Sequence, residues 1–164
     1  MARHAESPLF GFPHTPAYDH TQHAPLYLLI LLPGFISLGM AVAFAPMREV
    51  ALVSLVSGIG LLVIASTVHH LRIVDEDAML AIRYGPLPLL RKRIRYADIQ
   101  TAEADRTSLI DGWGIHYVPA RGWTYNLWGL DCVRCRLTNG RTIRIGTDDP
   151  SGLAEFLQQR ISQG

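Results

Sequence analysis

Two uncharged apolar runs limit what this chain can fold into. From Leu26 to Phe44 it reads LYLLILLPGFISLGMAVAF, and from Val50 to Val68 VALVSLVSGIGLLVIASTV, 19 residues each without Asp, Glu, Lys or Arg. At about 1.5 Å rise per residue, a helix of that length reaches roughly 28 Å, close to the ~30 Å hydrocarbon thickness of a bilayer. Only APMRE, Ala45 to Glu49, separates the runs, which forces an antiparallel hairpin. Two buried helices of a soluble protein are the alternative. Two unbroken spans on so short a link favour a transmembrane hairpin over residues 26–70, with spans 26–44 and 50–68. A cleaved signal peptide fits less well. Ala41, Ala43 and Ala45 offer an A-x-A pattern, but 25 residues precede the run with Arg3 their sole Lys or Arg, and the run is too long for a signal core.

Lys and Arg near the helix ends set orientation. The hairpin loop has Arg48, balanced by Glu49, whereas Arg72, Arg83, Arg91, Lys92, Arg93 and Arg95 follow the second span. Both termini are therefore expected in the cytoplasm. Ala51, Ser54, Gly58 and Ala65 share one face of the second span, a small-residue stripe that lets another backbone approach. Pro33 and Gly34 are tolerable in a membrane helix and mark a possible kink in the first. With no ionisable Asp, Glu, Lys or Arg inside either span, the usual sign of an ion or proton pathway is missing. That argues against a transporter of two such helices.

Residues 1–25 read as an irregular tail. Its His14, His20 and His23 match no zinc spacing and have no cysteine beside them. Beyond the spans, residues 71–164 carry strand signals. LRIVD and AMLAIRY flank a tight turn at Glu76 and Asp77, and Gly85, Pro86 and Pro88 break the chain. Asn139-Gly140, between alternating runs, is a two-residue hairpin signal, since both positions must accept positive φ. After Asp148-Asp149-Pro150, a helix places Leu153, Phe156, Leu157 and Ile161 on one face. Seven or eight antiparallel strands closed by one C-terminal helix are expected.

That order, with LRIVDEDAMLAIRYG, RIRYADIQTAEA, GWGIHY and RLTNGRTIRIGTDDPSGLAEFL, resembles bacterial pleckstrin-homology-like (PH-like) domains of membrane-anchored proteins. The resemblance covers about Leu71 to Ile161. It implies a two-helix transmembrane hairpin followed by a mostly antiparallel β PH-like barrel or bent sheet with a C-terminal α-helix. It also implies residence in a bacterial inner membrane and carries over no catalytic residue, metal site or cofactor. Phosphoinositide binding, known for eukaryotic relatives, is not implied, because their basic loop pattern has no match here.

All three tryptophans lie in GWGIHYVPARGWTYNLWG, Gly112 to Gly129. Strand alternation puts Trp113, Ile115 and Tyr117 on one face, and Trp123, Tyr125 and Leu127 on one face. These are expected to point into the core, with Gly112, Gly114 and Gly122 at bulges or close approaches. Trp128 points the other way and is the candidate partner contact. Cys132 and Cys135 resemble a redox C-x-x-C, but in a strand residues three apart face opposite sides, and a redox pair needs a helix N-terminus. Cys135 is expected in the core and Cys132 outside. His69 and His70 are read as interface residues rather than haem ligands or headgroup contacts. Asp148 and Asp149 are read as charges at the start of a helix rather than an acid–base pair.

No nucleophile–base set, phosphate loop or metal cluster is visible, so the expectation is not an enzyme. From Leu71 onward 13 basic residues face 11 acidic ones, too balanced for tracking nucleic acid. The favoured function is a membrane-anchored interaction module, an accessory subunit or assembly factor of a membrane complex, photosynthetic ones included. Its partners would be membrane lipids and other membrane protein subunits. A lipid-sensing module and an enzyme of unrecognised type are the alternatives. The expected lipid contact is the apolar and basic stretch Leu87, Leu89, Leu90, Arg91, Lys92, Arg93 and Arg95.

Overall fold

The computed structural model of the protein describes residues 16–86, 89–108, 113–119 and 121–163. Leu87, His14 and Gly112 lie outside the described residues.

Helix α1 spans Leu26–Ala43 and α2 spans Arg48–Thr67, with mean hydropathy 2.2 and 2.3 over their most apolar stretches. Both are long and apolar enough to cross a membrane. A core helix of a soluble protein would be mostly covered. Here only 6% of that stretch in α1 and 17% in α2 is buried, and Leu29, Val42 and Val53 stand open. The two helices pack on each other at glycines. A Cβ at Gly58 would stand 2.7 Å from Leu38 Cδ2 and 3.1 Å from the Gly34 carbonyl oxygen, and one at Gly34 would stand 3.1 Å from Leu62 Cδ2. Gly58 and Ala65 are buried against α1, while Ala51 and Ser54 are half-buried.

The remaining elements form two mostly antiparallel sheets and a C-terminal helix. The first sheet has the order β1 (Asp19–His23), β2 (His70–Glu76), β3 (Met79–Tyr84) and β4 (Leu90–Arg95). A 3-10 turn, Tyr96–Asp98, leads to the second sheet. Its strands are β5 (Ile99–Arg106), β6 (Gly114–Val118), β7 (Gly122–Asn126), β8 (Asp131–Leu137) and β9 (Thr142–Gly146). They lie in the order β5-β8-β9-β7-β6, with β7 and β9 parallel. Helix α3, Pro150–Ser162, follows; the Asp149 carboxylate caps it by accepting from the Gly152 N–H at 3.0 Å. Its Leu153 and Leu157 are fully buried, and Phe156 and Ile161 are half-buried against the same core. The sheets do not close into a barrel. They share one core, in which Leu71, Ile73, Leu80 and Ile82 of the first meet Val133, Cys135, Ile143 and Ile145 of the second.

The tail departs from expectation, because Asp19–His23 is a strand paired with β2 from Asp19–Val74 to His23–His70. Its sequence, DHTQH, has no apolar alternation to announce it. Its partners sit far along the chain instead. Arg72 donates to Asp19 at 2.8 and 2.5 Å, and buried Gln22 donates from Nε2 to the Trp128 carbonyl at 2.9 Å. His20 meets Asp148 at 2.5 Å, and Tyr18 stacks on Phe156 with centroids 5.2 Å apart. The Ala17 N–H donates to the Asp75 carboxylate at 3.2 Å. The helical hairpin is thus an insertion between two paired strands of one domain.

The second sheet lies across the first. Passing toward the hairpin along Tyr18, His20 and Gln22, the partners change from Asp149 and Asp148, beyond β9, to Trp128, beyond β7. On the opposite edge, Lys92, Arg93 and Ile94 of β4 stand beside Trp123 of β7, Thr142 of β9 and Leu137 of β8. Strand β5 and α3 therefore occupy the end far from the hairpin, where Gln158 donates to the Ala102 carbonyl at 2.9 Å. Strand β7 lies level with the last rung of the first sheet, where the Tyr84 hydroxyl donates to the Asn126 carbonyl at 3.4 Å. Strand β6 lies one strand further toward the hairpin. Gly85, at φ 63°, locks this end, because a Cβ there would collide with the Ser66 carbonyl oxygen at the end of α2.

Candidate functional site

Two surfaces of this domain stand out chemically, and both involve the β6–β7 hairpin. The first is its inner face. Ile115 pairs with Tyr125 and Tyr117 with Trp123, so these side chains share the face that elsewhere fills the core. Tyr125 and Leu127 are buried as alternation predicts. Trp113, Ile115, Tyr117 and Trp123 are not, at 44, 38, 59 and 45% exposure. The expectation of core tryptophans is overturned: β6 projects past the last rung of the first sheet, with no strand of that sheet opposite it among the described residues, and Trp123 of β7 opens onto the edge of β4. The face was readable from the sequence; the overhang was not.

Trp128 also changes role. It is half-buried against the core, its ring lies 4.7 Å from that of Trp113, and its carbonyl is taken by Gln22. Trp113, whose Nε1 donates to the Gly129 carbonyl at 3.3 Å, is the more open of the two.

The second surface is a groove of about 430 Å³ between the β4 edge and the second sheet. Lys92, Arg93 and Arg141 bring positive charge to it, and Trp123, Tyr125 and Ile143 supply apolar walls. Arg93 is neutralised by Glu76 at 2.8 Å, which Arg83 also pairs. Among the described residues no ion pair holds Lys92 or Arg141. Trp123 separates this groove from a second recess of about 470 Å³ bordered by Tyr117 and Arg141.

The expected lipid-contacting stretch divides along β4. Leu89 and Leu90 are exposed at the hairpin-proximal end, where Leu90 pairs with Tyr84. Arg91 and Lys92 come next. Arg95 lies five residues from Leu90, roughly 17 Å along an extended strand, and pairs with Asp98 at 2.9 Å. That exceeds the ~8–10 Å over which salt leaves exposed charges in contact. Within this stretch the structure thus leaves Arg91 and Lys92 as the cations at the hairpin end and ties Arg93 and Arg95 to carboxylates.

Opposite, at the far end, Asp75 is a structural centre. Its side chain is fully buried and accepts from the Tyr96 hydroxyl at 2.7 Å and from Arg160 Nη2 at 2.5 Å, in addition to the Ala17 N–H. Burial alone would raise its pKa. The hydrogen bonds from Tyr96 and Arg160 outweigh that and hold the carboxyl below its ordinary value. One carboxylate thereby joins tail, first sheet, 3-10 turn and α3.

The other candidates are quiet. Cys132 and Cys135 are both fully buried and free, and burial pushes each thiol up to about 12, well away from a reactive thiolate. Cys132 was expected outside. It lies on the outer face, but Asp105, Arg134 and Arg144 crowd around it. His69 and His70 meet through their Nδ1 atoms at 3.0 Å, and His69 packs on Tyr27 with centroids 4.6 Å apart. His23 stands 5.8 Å from His70, whose pKa is lowered by burial and by the neighbouring His69, His23 and Arg72 charges. Among the described residues no group of three or more His, Cys, Asp or Glu side chains is arranged to hold a metal ion. Asp148 and Asp149 serve His20 and the start of α3. No protein-family model matches the chain, and no curated protein matches it either.

Proposed function

We propose that this protein is a non-enzymatic, membrane-anchored interaction module of PH-like fold, acting as an accessory subunit or assembly factor of a membrane protein complex. The observation that carries this reading is the pairing of β1 with β2 across the inserted hairpin. A domain held at both ends of its anchor is presented in one orientation, which suits docking. The same pairing puts the strands before and after the hairpin at one end of it. The excess of Arg and Lys after α2 supports a cytoplasmic position for that end, and the resemblance to bacterial PH-like domains supports an inner membrane. The groove beside β4, with Lys92 and Arg141 around Trp123, is the docking surface. Its charge suits an acidic segment of a partner subunit, and its open β4 edge suits an extended one.

Gentle detergent extraction of the full chain tests this. Co-purifying membrane subunits are expected, and they should be lost in Lys92→Glu/Arg141→Glu while the protein stays folded. Extraction of the protein with no companion from cells that express it would contradict the reading. A lipid-sensing role has narrower support, because within the stretch 87–95 Arg91 and Lys92 are the cations at the hairpin end that no carboxylate among the described residues pairs. At about 1 kcal/mol per cation they would contribute roughly 2 kcal/mol on an anionic surface.

A further inference from the structure

The interaction-module reading leaves one conspicuous surface unused, the apolar overhang of β6. Trp113, Ile115 and Tyr117 continue the core face of the second sheet beyond the first sheet's last rung, at 44, 38 and 59% exposure. Contiguous exposed apolar surface on this scale marks a contact. Its position identifies which one. The strand order places β6 at the hairpin end of the domain, opposite β5 and α3. Leu26 and Val68, at the two ends of the hairpin, pack against the same core as Trp128, the ring neighbour of Trp113. Just beyond, the apolar flanks of α1 and α2 begin, with Leu29 72% and Leu28 51% exposed. Those flanks begin at the same end of the domain as the overhang.

We propose that Trp113, Ile115 and Tyr117 are seated in the lipid interface around the foot of the hairpin, so that the domain rests on the bilayer along the edge of its second sheet. The inference depends on the hairpin spanning a membrane, as proposed above. Residue chemistry fits the site. Tryptophan and tyrosine gather at headgroup level, where the ring meets hydrocarbon and the polar tip keeps a hydrogen-bond partner, which for the Trp113 N–H is the Gly129 carbonyl. Across the domain, Leu89 and Leu90 form a second apolar foot, 63 and 44% exposed. Arg91 follows one residue higher along β4, about 3 Å, where lipid phosphates would stand. Apolar contacts below and a cation above repeat the layering of the interface. The domain so seated turns the Lys92–Arg141 groove sideways rather than into the membrane, leaving it open to a neighbouring subunit.

The chain's own tryptophans supply the test. Full-length protein carrying Trp113 alone, through Trp123→Phe and Trp128→Phe, is placed in phosphatidylcholine vesicles brominated high on the acyl chains. Trp113 emission is expected to fall by about half relative to plain vesicles, as for an interfacial ring. A Trp123-only protein should be little affected. Equal Trp113 emission in the two vesicles overturns the proposal. Because Trp128→Phe touches the core, a nitroxide at Ile115→Cys gives an independent reading, the native cysteines being fully buried. Greater relaxation by oxygen than by an aqueous nickel chelate supports seating, and the reverse overturns it. Purified protein in vesicles without a partner reports this contact alone. Missing co-purifying subunits would therefore leave the quenching intact, whereas a protein that fails to float with vesicles sinks both ideas.

Discussion

Strands β1 and β6 are both sheet edges, and they exchange the roles that their compositions suggest. DHTQH, Asp19–His23, is polar throughout, yet Gln22 is 4% exposed and bonded to Trp128, while Asp19 and His20 are bonded to Arg72 and Asp148. GIHYV, Gly114–Val118, carries the core-type alternation, yet Ile115 and Tyr117 are open. The difference lies in what each strand meets. Strand β1 runs over the strand ends of the second sheet, which present carbonyls and carboxylates. Strand β6 extends past the first sheet, pairs with β7, and among the described residues has no strand of the first sheet opposite its Ile115 and Tyr117. Polarity decides which groups a strand can satisfy; the layer opposite decides whether it is covered.

The contrast predicts that tail-side changes damage the fold and overhang-side changes do not. The largest effect belongs to Asp75→Ala. Removing a buried carboxylate leaves Arg160, Tyr96 and the Ala17 N–H without their shared acceptor, and stability should fall by about 3–5 kcal/mol. Chemical denaturation of the detergent-solubilised protein measures this, and a loss as small as that of a surface change would break the contrast. The pH dependence has a defined sign. A folded pKa below the ordinary 3.8 means that the stabilisation is present above that value and lost as pH falls through the lower folded value. Asp75→Asn should flatten this acid limb.

Next in size is Gly58→Leu. Its side chain would meet Leu38 and the Gly34 carbonyl, forcing α1 and α2 apart at a cost of about 1–3 kcal/mol. Slower unfolding than wild type, or unchanged unfolding, in a thermal series would show that the helices separate freely. The smallest effects form a matched pair on the two edges. Gln22→Ala should lose about 1–2 kcal/mol by leaving the Trp128 carbonyl unpaired. Tyr117→Ser should stay within about 0.5 kcal/mol in detergent. Equal losses in the two variants would remove the distinction between the edges.

Much of the fold was legible because its signals are local. Uncharged 19-residue runs make the helices and Asp149 caps α3; a turn also forms at Asn139-Gly140, but with Gly140 alone at positive φ, 77°, because β8 ends at Leu137 and the loop is longer than the two residues expected. Small residues on α2 also marked the face that carries Gly58. The candidate site was legible only in parts. Alternation correctly put Ile115 and Tyr117 on the face of Tyr125, but exposure depends on where the first sheet ends. The sidedness of Cys132 was readable, but the charged cluster of Asp105, Arg134 and Arg144 around it was not. Strand β1 was invisible, since its strand partners lie at least 47 residues away in sequence, as in the His23–His70 pair. The groove cations Lys92 and Arg141 come from different sheets, and no spacing in the chain joins them.

The central claim is that residues before the hairpin and residues after it form one sheet. Thr21 and Arg72 are register partners across that join, as are Arg83 and Arg91 between β3 and β4. Cross-strand partners lie about 4.5–5.5 Å apart at Cα, within the span a disulfide can close. Thr21→Cys/Arg72→Cys should therefore cross-link under mild oxidation in native membranes, as readily as the Arg83→Cys/Arg91→Cys control, with mass spectrometry recovering the tail peptide joined to β2. A control that closes while the Thr21–Arg72 pair stays open would show that the tail is not part of the domain.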